Sequence, residues 1–283
     1  MRIFAISDVH ADYPQNMALI QALCAHGHER DTLLLPGDVT DDLSRLARVL
    51  GGVREKFAHV FFVPGNHELW VRRGESGNSV AKFEKILRLC AELGVETKPA
   101  KVSRGPADPG AWVVPLFSWY VKPEQGPASL YVPRDGDDAG LSMWADEVLT
   151  RWPEGLSVAD HFLDMNEPHL GREYDAPVLS FSHFLPRQEV MFRSPTTPPA
   201  LPARAVRFNF SRVAGCTRIE AQLRALGSVL HVHGHQHRNR DRLIDGVRYV
   251  SNCLGYPPER ARGEIGESCE TLKLLWDTEL EGG

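Results

Sequence analysis

A layered α/β domain is what this sequence predicts, on three observations. Apolar runs of strand length recur through the first third of the chain, an amphipathic helical stretch follows each, and polar residues stand where each run stops. "RIFAIS" (2–7) is the first strand. A helix is expected to begin near Asp12, with Pro14 tolerated in its first turn and Met17, Ile20 and Cys24 along one face. "TLLLP" (32–36) is the second strand, followed by a helical stripe of Leu43, Leu46, Ala47 and Leu50 expected to stop at Gly51-Gly52. "HVFFV" (59–63) is the third strand, and Val80, Phe83, Ile86, Leu87 and Cys90 mark a third helix ending near Gly94.

The middle is less regular. "AWVVPLFSWY" (111–120) contains a strand, 121–140 is loop-like, 141–149 is a short helix, and 150–176 carries no sustained period. "PVLSFSH" (177–183) restores a strand, after which "RSPTTPPALP" (193–202) has too many prolines for a regular element. A helix follows over 215–226 with Ile219, Leu223 and Leu226 on one face and Gly227 as its stop. "SVL" (228–230) opens a strand, Asp245-Gly246 is the turn of a hairpin over 242–250, and "TLKLLW" (271–276) is the last strand. No internal repeat is visible. The 283 residues are expected to form a single domain over 1–283, with loops at 121–140 and 186–209, at least one of which is expected to cover a site and select its substrate.

Bulk composition narrows the function classes. A formal charge of -5 gives no general attraction to nucleic acid, so a long nucleic-acid partner is not favoured. The only nearby basic stretch, "HRNRDRL" (237–243), is interrupted by Asp241. Five widely spaced cysteines without a CxxC support neither a disulfide framework nor a thiolate zinc site. No run approaches a membrane span and the start lacks a signal-like apolar segment, so a cytoplasmic location and no membrane partner are expected.

Polar clusters gather where the strands stop. They are Asp8 and His10 in "SDVH", Asp38 in "PGDVTD", Asn66 and His67 in "PGNHE", His183 in "SFSHF", and the histidines of "HVHGHQH" (231–237). Taken singly, Asp8 is a turn or cap residue, Asn66 a turn residue and His183 a core histidine. Taken together they occupy the strand ends at which an open α/β sheet places its site. Carboxylate oxygen, amide oxygen and imidazole nitrogen suit Mn²⁺, Fe or Zn²⁺, and the count is enough for two ions about 3.5–4 Å apart sharing one carboxylate.

The ordered set "DVH", "GDVTD", "GNHE", a lone "H" after a strand and "GHQH" resembles the calcineurin-like metallophosphoesterase family, whose pattern is DxH, GDxxD, GNH[D/E], H and GHxH. Each element alone is weak, but all five in order over residues 8–237 are specific. The resemblance implies a four-layered αββα sandwich of two mixed β-sheets, which periodicity alone does not show. It implies two divalent metal ions, manganese or iron first and zinc or magnesium next. One ion would be held by Asp8, His10 and His235, the other by Asn66, His183 and His233, with Asp38 and a water or hydroxide bridging them. His67 would donate to the leaving oxygen, and Asp41 would support an imidazole. His231 and His237 are read as bordering the site, and His26, His28, His161 and His169 as surface residues.

The expected activity is hydrolysis of a small phosphate ester, a diester or monoester of a small organic phosphate, by metal-activated hydroxide. Nuclease, protein phosphatase and non-enzymatic scaffold are the alternatives. A protein partner is not specified. Arg187 is a candidate for a phosphate oxygen, while core packing is the better reading of Trp119 and Tyr120.

Overall fold

The computed structural model describes residues 1–277 apart from 24, 26, 106–107, 135–136, 138–140, 142, 193–207 and 267–270. The described strands are β1 (Arg2–Ala5), β2 (Thr32–Pro36), β3 (His59–Val63), β4 (Ala100–Val102), β5 (Ala111–Pro115), β6 (Val178–Phe181), β7 (Ser228–Val232), β8 (Arg240–Ile244), β9 (Val247–Ser251) and β10 (Lys273–Asp277). They form two sheets, in the order β10-β1-β2-β3 and β4-β5-β6-β7-β9-β8. Both are mixed. In the first, β1, β2 and β3 run parallel and β10 closes the edge antiparallel to β1. In the second, β5, β6, β7 and β9 are parallel, and β4 and β8 are antiparallel edges.

Strand alternation distributes the side chains into three apolar layers. Phe4, Leu33, Leu35, Val60 and Phe62 pack outward with residues of α1 (Pro14–Leu23), α2 (Leu43–Arg54) and α3 (Ser79–Leu93). Their neighbours Ile3, Ala5, Leu34, Phe61 and Val63 turn the other way, onto Val113, Leu179, Phe181, Leu230 and Val232 of the second sheet. Val114, Val178 and Tyr249 line the far face of that sheet. There they meet Leu223 and Leu226 from and just after the helix over Thr217–Ala225. Helix, sheet, sheet and helix are thus successive layers, with apolar surface buried at each junction. This is the calcineurin-like sandwich that the motif resemblance implied.

Local details depart from the sequence expectation where packing overrides propensity. The second helix does not stop at Gly51-Gly52 but runs to Arg54, because Val53 is buried on its apolar face. That burial offsets the roughly 1 kcal/mol a mid-helix glycine costs relative to alanine. The helix expected over 141–149 is only Asp146–Leu149, and the featureless 150–176 contains two short helices, Val158–Asp164 and Glu167–Leu170. The strand β4 was not foreseen. The hairpin turn falls where expected, with Asp245 and Gly246 both at positive φ (47° and 80°), as a two-residue type I′ turn demands. Cys24 and His26, and Cys269, lie outside the described residues, while Cys90, Cys216 and Cys253 are buried free thiols. No described helix is long and apolar enough to cross a membrane.

Candidate metal centre

The parallel strands of both sheets end on one side, and their loops carry the polar clusters. Asp8 and His10 follow β1, Asp38 follows β2, Asn66 and His67 follow β3, His183 follows β6 and the histidine segment follows β7. The two sheets are stitched together at this point. Ser7 N donates to Asn252 O (2.9 Å), and Leu254 N and Gly255 N donate to Ser7 O and Asp8 O (both 2.9 Å). Asp8, from the first sheet, therefore lies against the loop after β9 of the second.

Three contiguous groups of donor atoms result: Asp8, His10 and His237; His10, Asp38 and His67; and Asp38, His183 and His235. Within each, the donor atoms lie within 4.8 Å of one another. His10 Nε2 is 2.9 Å from His237 Nε2, and His237 Nε2 is 3.4 Å from Asp8 Oδ1. On the other side, His183 Nε2 is 3.1 Å from Asn66 Oδ1, 3.2 Å from His235 Nδ1 and 3.4 Å from Asp38 Oδ2. Asp38 belongs to two of the groups and lies between their outer members.

Holding these atoms together takes backbone strain. Six described non-glycine residues have positive φ, and five of them are Asp8 (51°), His10 (44°), Asp38 (54°), His235 (71°) and His237 (50°). Each left-handed residue of this kind costs about 1–3 kcal/mol and persists only where surrounding contacts impose it. Glu68, the last residue of "PGNHE", imposes part of it. Its buried carboxylate accepts from Asp38 N (2.9 Å), Val39 N (2.6 Å), Thr40 N (3.0 Å) and Gly65 N (2.7 Å), locking two site loops to each other. Burial, then the Asp38 charge, pushes the Glu68 carboxyl up to about 7 against those donors. Close approach explains Gly65 as well. A Cβ there would stand 2.2 Å from Asp38 Oδ1 and 2.7 Å from His183 Cε1.

The donor chemistry fits cations. Three of the imidazoles have one nitrogen tied away from the cluster: His183 Nδ1 to Pro36 O (2.8 Å), His235 Nε2 to Val213 O (3.0 Å) and His237 Nδ1 to Glu259 Oε2 (2.6 Å). If each of those nitrogens carries the proton, the other presents its lone pair inward, the usual arrangement around a ligating histidine. Lone pairs facing one another at 2.9–3.2 Å repel unless a positive charge lies between them. Charge balance agrees. Burial opposes ionisation of Asp8, yet hydrogen bonding and charge from His237 hold its carboxyl down at about 2. Burial likewise depresses His183 and His237, but Asp38 raises the former to about 9, and Asp8 and Glu259 the latter to about 10. These are protons that a bound cation would replace.

Asn66 is oriented from behind. Its Nδ2 donates to Asp146 Oδ1 (2.9 Å), an oxygen that also accepts from Trp70 Nε1 (2.7 Å), while Asp146 Oδ2 accepts from Trp144 Nε1 (2.9 Å). A carboxylate only accepts, so the amide oxygen of Asn66 is the atom that faces the cluster. His67 stands at the edge, with Nε2 3.8 Å from Asp38 Oδ2 and 3.3 Å from Tyr256 Oη. Burial lowers its pKa, with the Asp38 carboxylate pulling the other way.

Several expectations need correction. The structure does not pair His235 with Asp8 and His10, nor does it bring His233 into any donor group. His237 takes the first place and His235 the second, the backbone bending at His235 and Gln236 with both histidines at positive φ. His233 Nε2 is buried with no hydrogen-bond partner among the described residues, while its Nδ1 is 3.3 Å from Gly234 O. His231 is on the far face of the second sheet, bonded to Ser180 Oγ (2.8 Å) and Ser182 Oγ (3.1 Å). Arg187 does not reach the cluster; its guanidinium meets Glu189, Glu220 and Asp245. Asp41 orients no imidazole through a hydrogen bond among the described residues, and its carboxylate accepts from Arg72. His28 is not solvated but paired with Asp31 and stacked on Phe57. Trp119 and Tyr120 are core residues.

Three residues around the site were missed, and His237 was read only as bordering it. His237 had a signal, since the histidines of "GHQH" are 235 and 237. Glu259 and Tyr256 lie in the loop and helix after β9, a strand end like the others. Asp146 opens the short helix Asp146–Leu149 and had no sequence signal as a site residue.

A family model described as calcineurin-like phosphoesterase matches residues 1–239. The chain is similar to an acyl-carrier-protein phosphodiesterase, PptH, of Mycobacterium tuberculosis. The two are 26% identical over 284 residues, covering 92% of this chain and 79% of that protein. The crystal structure of a phosphopantetheinyl hydrolase, PptH, from Mycobacterium tuberculosis matches with a TM-score of 0.71. It shares 25% identity, with 97% of this chain and 95% of that one covered.

Proposed function

The chain belongs to the calcineurin-like phosphoesterase family, its cluster is a binuclear phosphoesterase site, and we propose that it cleaves a phosphodiester that links a small organic phosphate to a carrier protein. The substrate class is taken from the relatives named for a phosphopantetheinyl or carrier-protein ester, which cover most of the chain. The observation that carries the catalytic reading is Asp38, one carboxylate common to two adjoining groups of donors.

We assign Asp8, His10 and His237 to one ion and Asn66, His183 and His235 to the other, with Asp38 serving both. The mixed oxygen and nitrogen donors favour manganese or iron over magnesium. When bound, such a pair supplies Lewis acidity to phosphoryl oxygens and lowers the pKa of water between them. The protein's own residues do the rest. Glu68 and the strained loops fix Asp38, Glu259 fixes His237, and Asp146 fixes Asn66, so the donors need no rearrangement to bind. His67, held between Asp38 and Tyr256, is placed to donate from Nε2 to the leaving ester oxygen. Trp144 and Phe210 pack on His235 (ring centroids 5.8 and 5.1 Å away), and Phe208 stacks on Trp144 at 5.2 Å. These contacts support the proposal that the 186–209 loop covers this side of the site, although 193–207 lies outside the described residues.

The test is a substrate panel in Mn²⁺: mono- and diesters, cyclic nucleotides, single-stranded nucleic acid and a carrier protein bearing a phosphopantetheinyl serine. Release of the organic phosphate from the carrier is expected, with loss of both metal and activity in Asp38→Asn. Two retained ions without hydrolysis of any ester would make the chain a binding scaffold.

A further inference from the structure

Beside the metal centre is a cavity of about 610 Å³, and its polar lining is dominated by arginine. Arg134, Arg238, Arg240 and Arg242 border it. Among the described residues that line it, the one carboxylate, Glu264, is engaged by Arg262. The cavity adjoins the centre through two residues. Gln236 lies between His235 and His237 in sequence, and Phe210 packs against the His235 ring at 5.1 Å.

Arg238 and Arg240 hydrogen-bond here to neutral groups. Arg240 Nη1 donates to Gln236 Oε1 (2.8 Å) and Arg238 Nη1 to His237 O (2.8 Å). Arg242 donates to the carbonyls of Glu189 and Phe192. Arg134 Nε is buried without a hydrogen-bond partner among the described residues. Neither Arg238 nor Arg240 forms an ion pair among those residues. Burial, then repulsion from Arg242 and Arg238, pushes the Arg240 guanidinium down to about 10, so it stays cationic at neutral pH. The neighbouring guanidinium groups of Arg238, Arg240 and Arg242 repel one another, and an anion of matching planar or tetrahedral shape relieves that repulsion with bidentate hydrogen bonds.

We propose that this cavity is an oxyanion subsite, which holds a second phosphate or carboxylate of the substrate while the scissile phosphate occupies the metal centre. The proposal rests on the phosphoesterase reading and deepens it. The subsite draws on both predicted loops, Arg134 coming from 121–140 and Met191 and Phe192 from 186–209. Met191, Phe192, Phe210 and Ile265 give it an apolar side, suited to the organic arm joining the two anionic groups.

Inorganic phosphate, titrated calorimetrically into the metal-loaded full chain, tests the proposal. Two phosphates per chain are expected, one at each site. The double variant Arg238→Ala/Arg240→Ala should bind one, or weaken the second by at least about tenfold, the scale of one lost charge-assisted contact. Arg240→Lys, which keeps the charge without the fork, should weaken it less. Arg88→Ala, on the exposed face of the third helix, should leave both events unaltered. One phosphate per chain in both the unmodified protein and the double variant overturns the subsite.

Two further arms identify the source of the anion. A larger KM increase in the double variant for a diester bearing a second phosphate assigns the subsite to a small molecule, and for an acidic carrier protein it assigns it to carrier carboxylates. Hydrolysis of bis(p-nitrophenyl) phosphate, which lacks a second anion, is measured in parallel on the unmodified protein. Its absence would count against the phosphoesterase reading, whatever the phosphate stoichiometry.

Discussion

Replacing Asp146 by asparagine separates the positioning of a metal donor from the donor itself. Asp146 Oδ1 accepts from Asn66 Nδ2 at 2.9 Å and Trp70 Nε1 at 2.7 Å, and Oδ2 accepts from Trp144 Nε1 at 2.9 Å. An asparagine can keep its oxygen toward Asn66 and Trp70, but its amide then meets the Trp144 N–H donor to donor. The part-buried Trp144 N–H then loses its acceptor and the new amide gains none there, at a cost of about 1–3 kcal/mol. The bond to Asn66 also becomes neutral, with roughly half the strength of the charge-assisted one. Asn66 is then free to turn its amide, and half of its orientations present nitrogen to the cluster. Loss of an outer partner of this kind typically weakens metal affinity about 10–100-fold. Isothermal titration with Mn²⁺ should show that loss in one of two binding events, while urea unfolding of the metal-free protein shows the stability cost. A variant less stable by 1–3 kcal/mol (the expectation above) whose two metal affinities are unaltered would reduce Asp146 to packing support and refute the reasoning.

Other outcomes follow from the same geometry. Gly65→Ala would place its Cβ 2.2 Å from Asp38 Oδ1, so we expect about 1–3 kcal/mol of destabilisation and substoichiometric metal by mass spectrometry; full metal occupancy would contradict the close approach. His67→Ala should keep both ions and lose about 10²–10⁴ in kcat on an ester with a poor leaving group, with a smaller loss on a nitrophenyl ester. Equal losses on both would exclude a leaving-group role. Away from the site, burial would raise the Asp31 carboxyl, but hydrogen bonds from Arg2 and His28 outweigh it and lower its pKa. A carboxyl lowered on folding contributes stability above its unfolded pKa of about 3.9 and loses it as pH falls through the folded value. Asp31→Asn should thus cost about 1 kcal/mol at pH 7, discounted for the partly exposed Arg2, and the difference should narrow below pH 4 in urea titrations. A constant difference across that range would remove the ion pair as its origin.

The sequence by itself determined the apolar strands, the helices between them and the polar residues at the strand ends. Those signals are local: alternation, helical spacing and turn residues act within a few positions. "DVH", "GDVTD", "GNHE" and "GHQH" were legible for the same reason, since each needs only its own loop. The tertiary structure decided what depends on contacts between distant segments. That the strands divide between two sheets follows from which faces bury one another, as Leu34 against the second sheet and Leu33 against the helices show. Which histidines of 231–237 meet Asp8 and Asp38 depends on the path of the chain through the bend at His235 and Gln236, and residue spacing does not specify that path. Asp146 and Glu259 join the site from 80 and 22 residues beyond the side chains they hold, Asn66 and His237. Arg187 was lost to a competing set of carboxylates that only packing brings near. The donors are written in the sequence, but their partnership is set by the closure of the two sheets, which fixes distances that no single loop can fix.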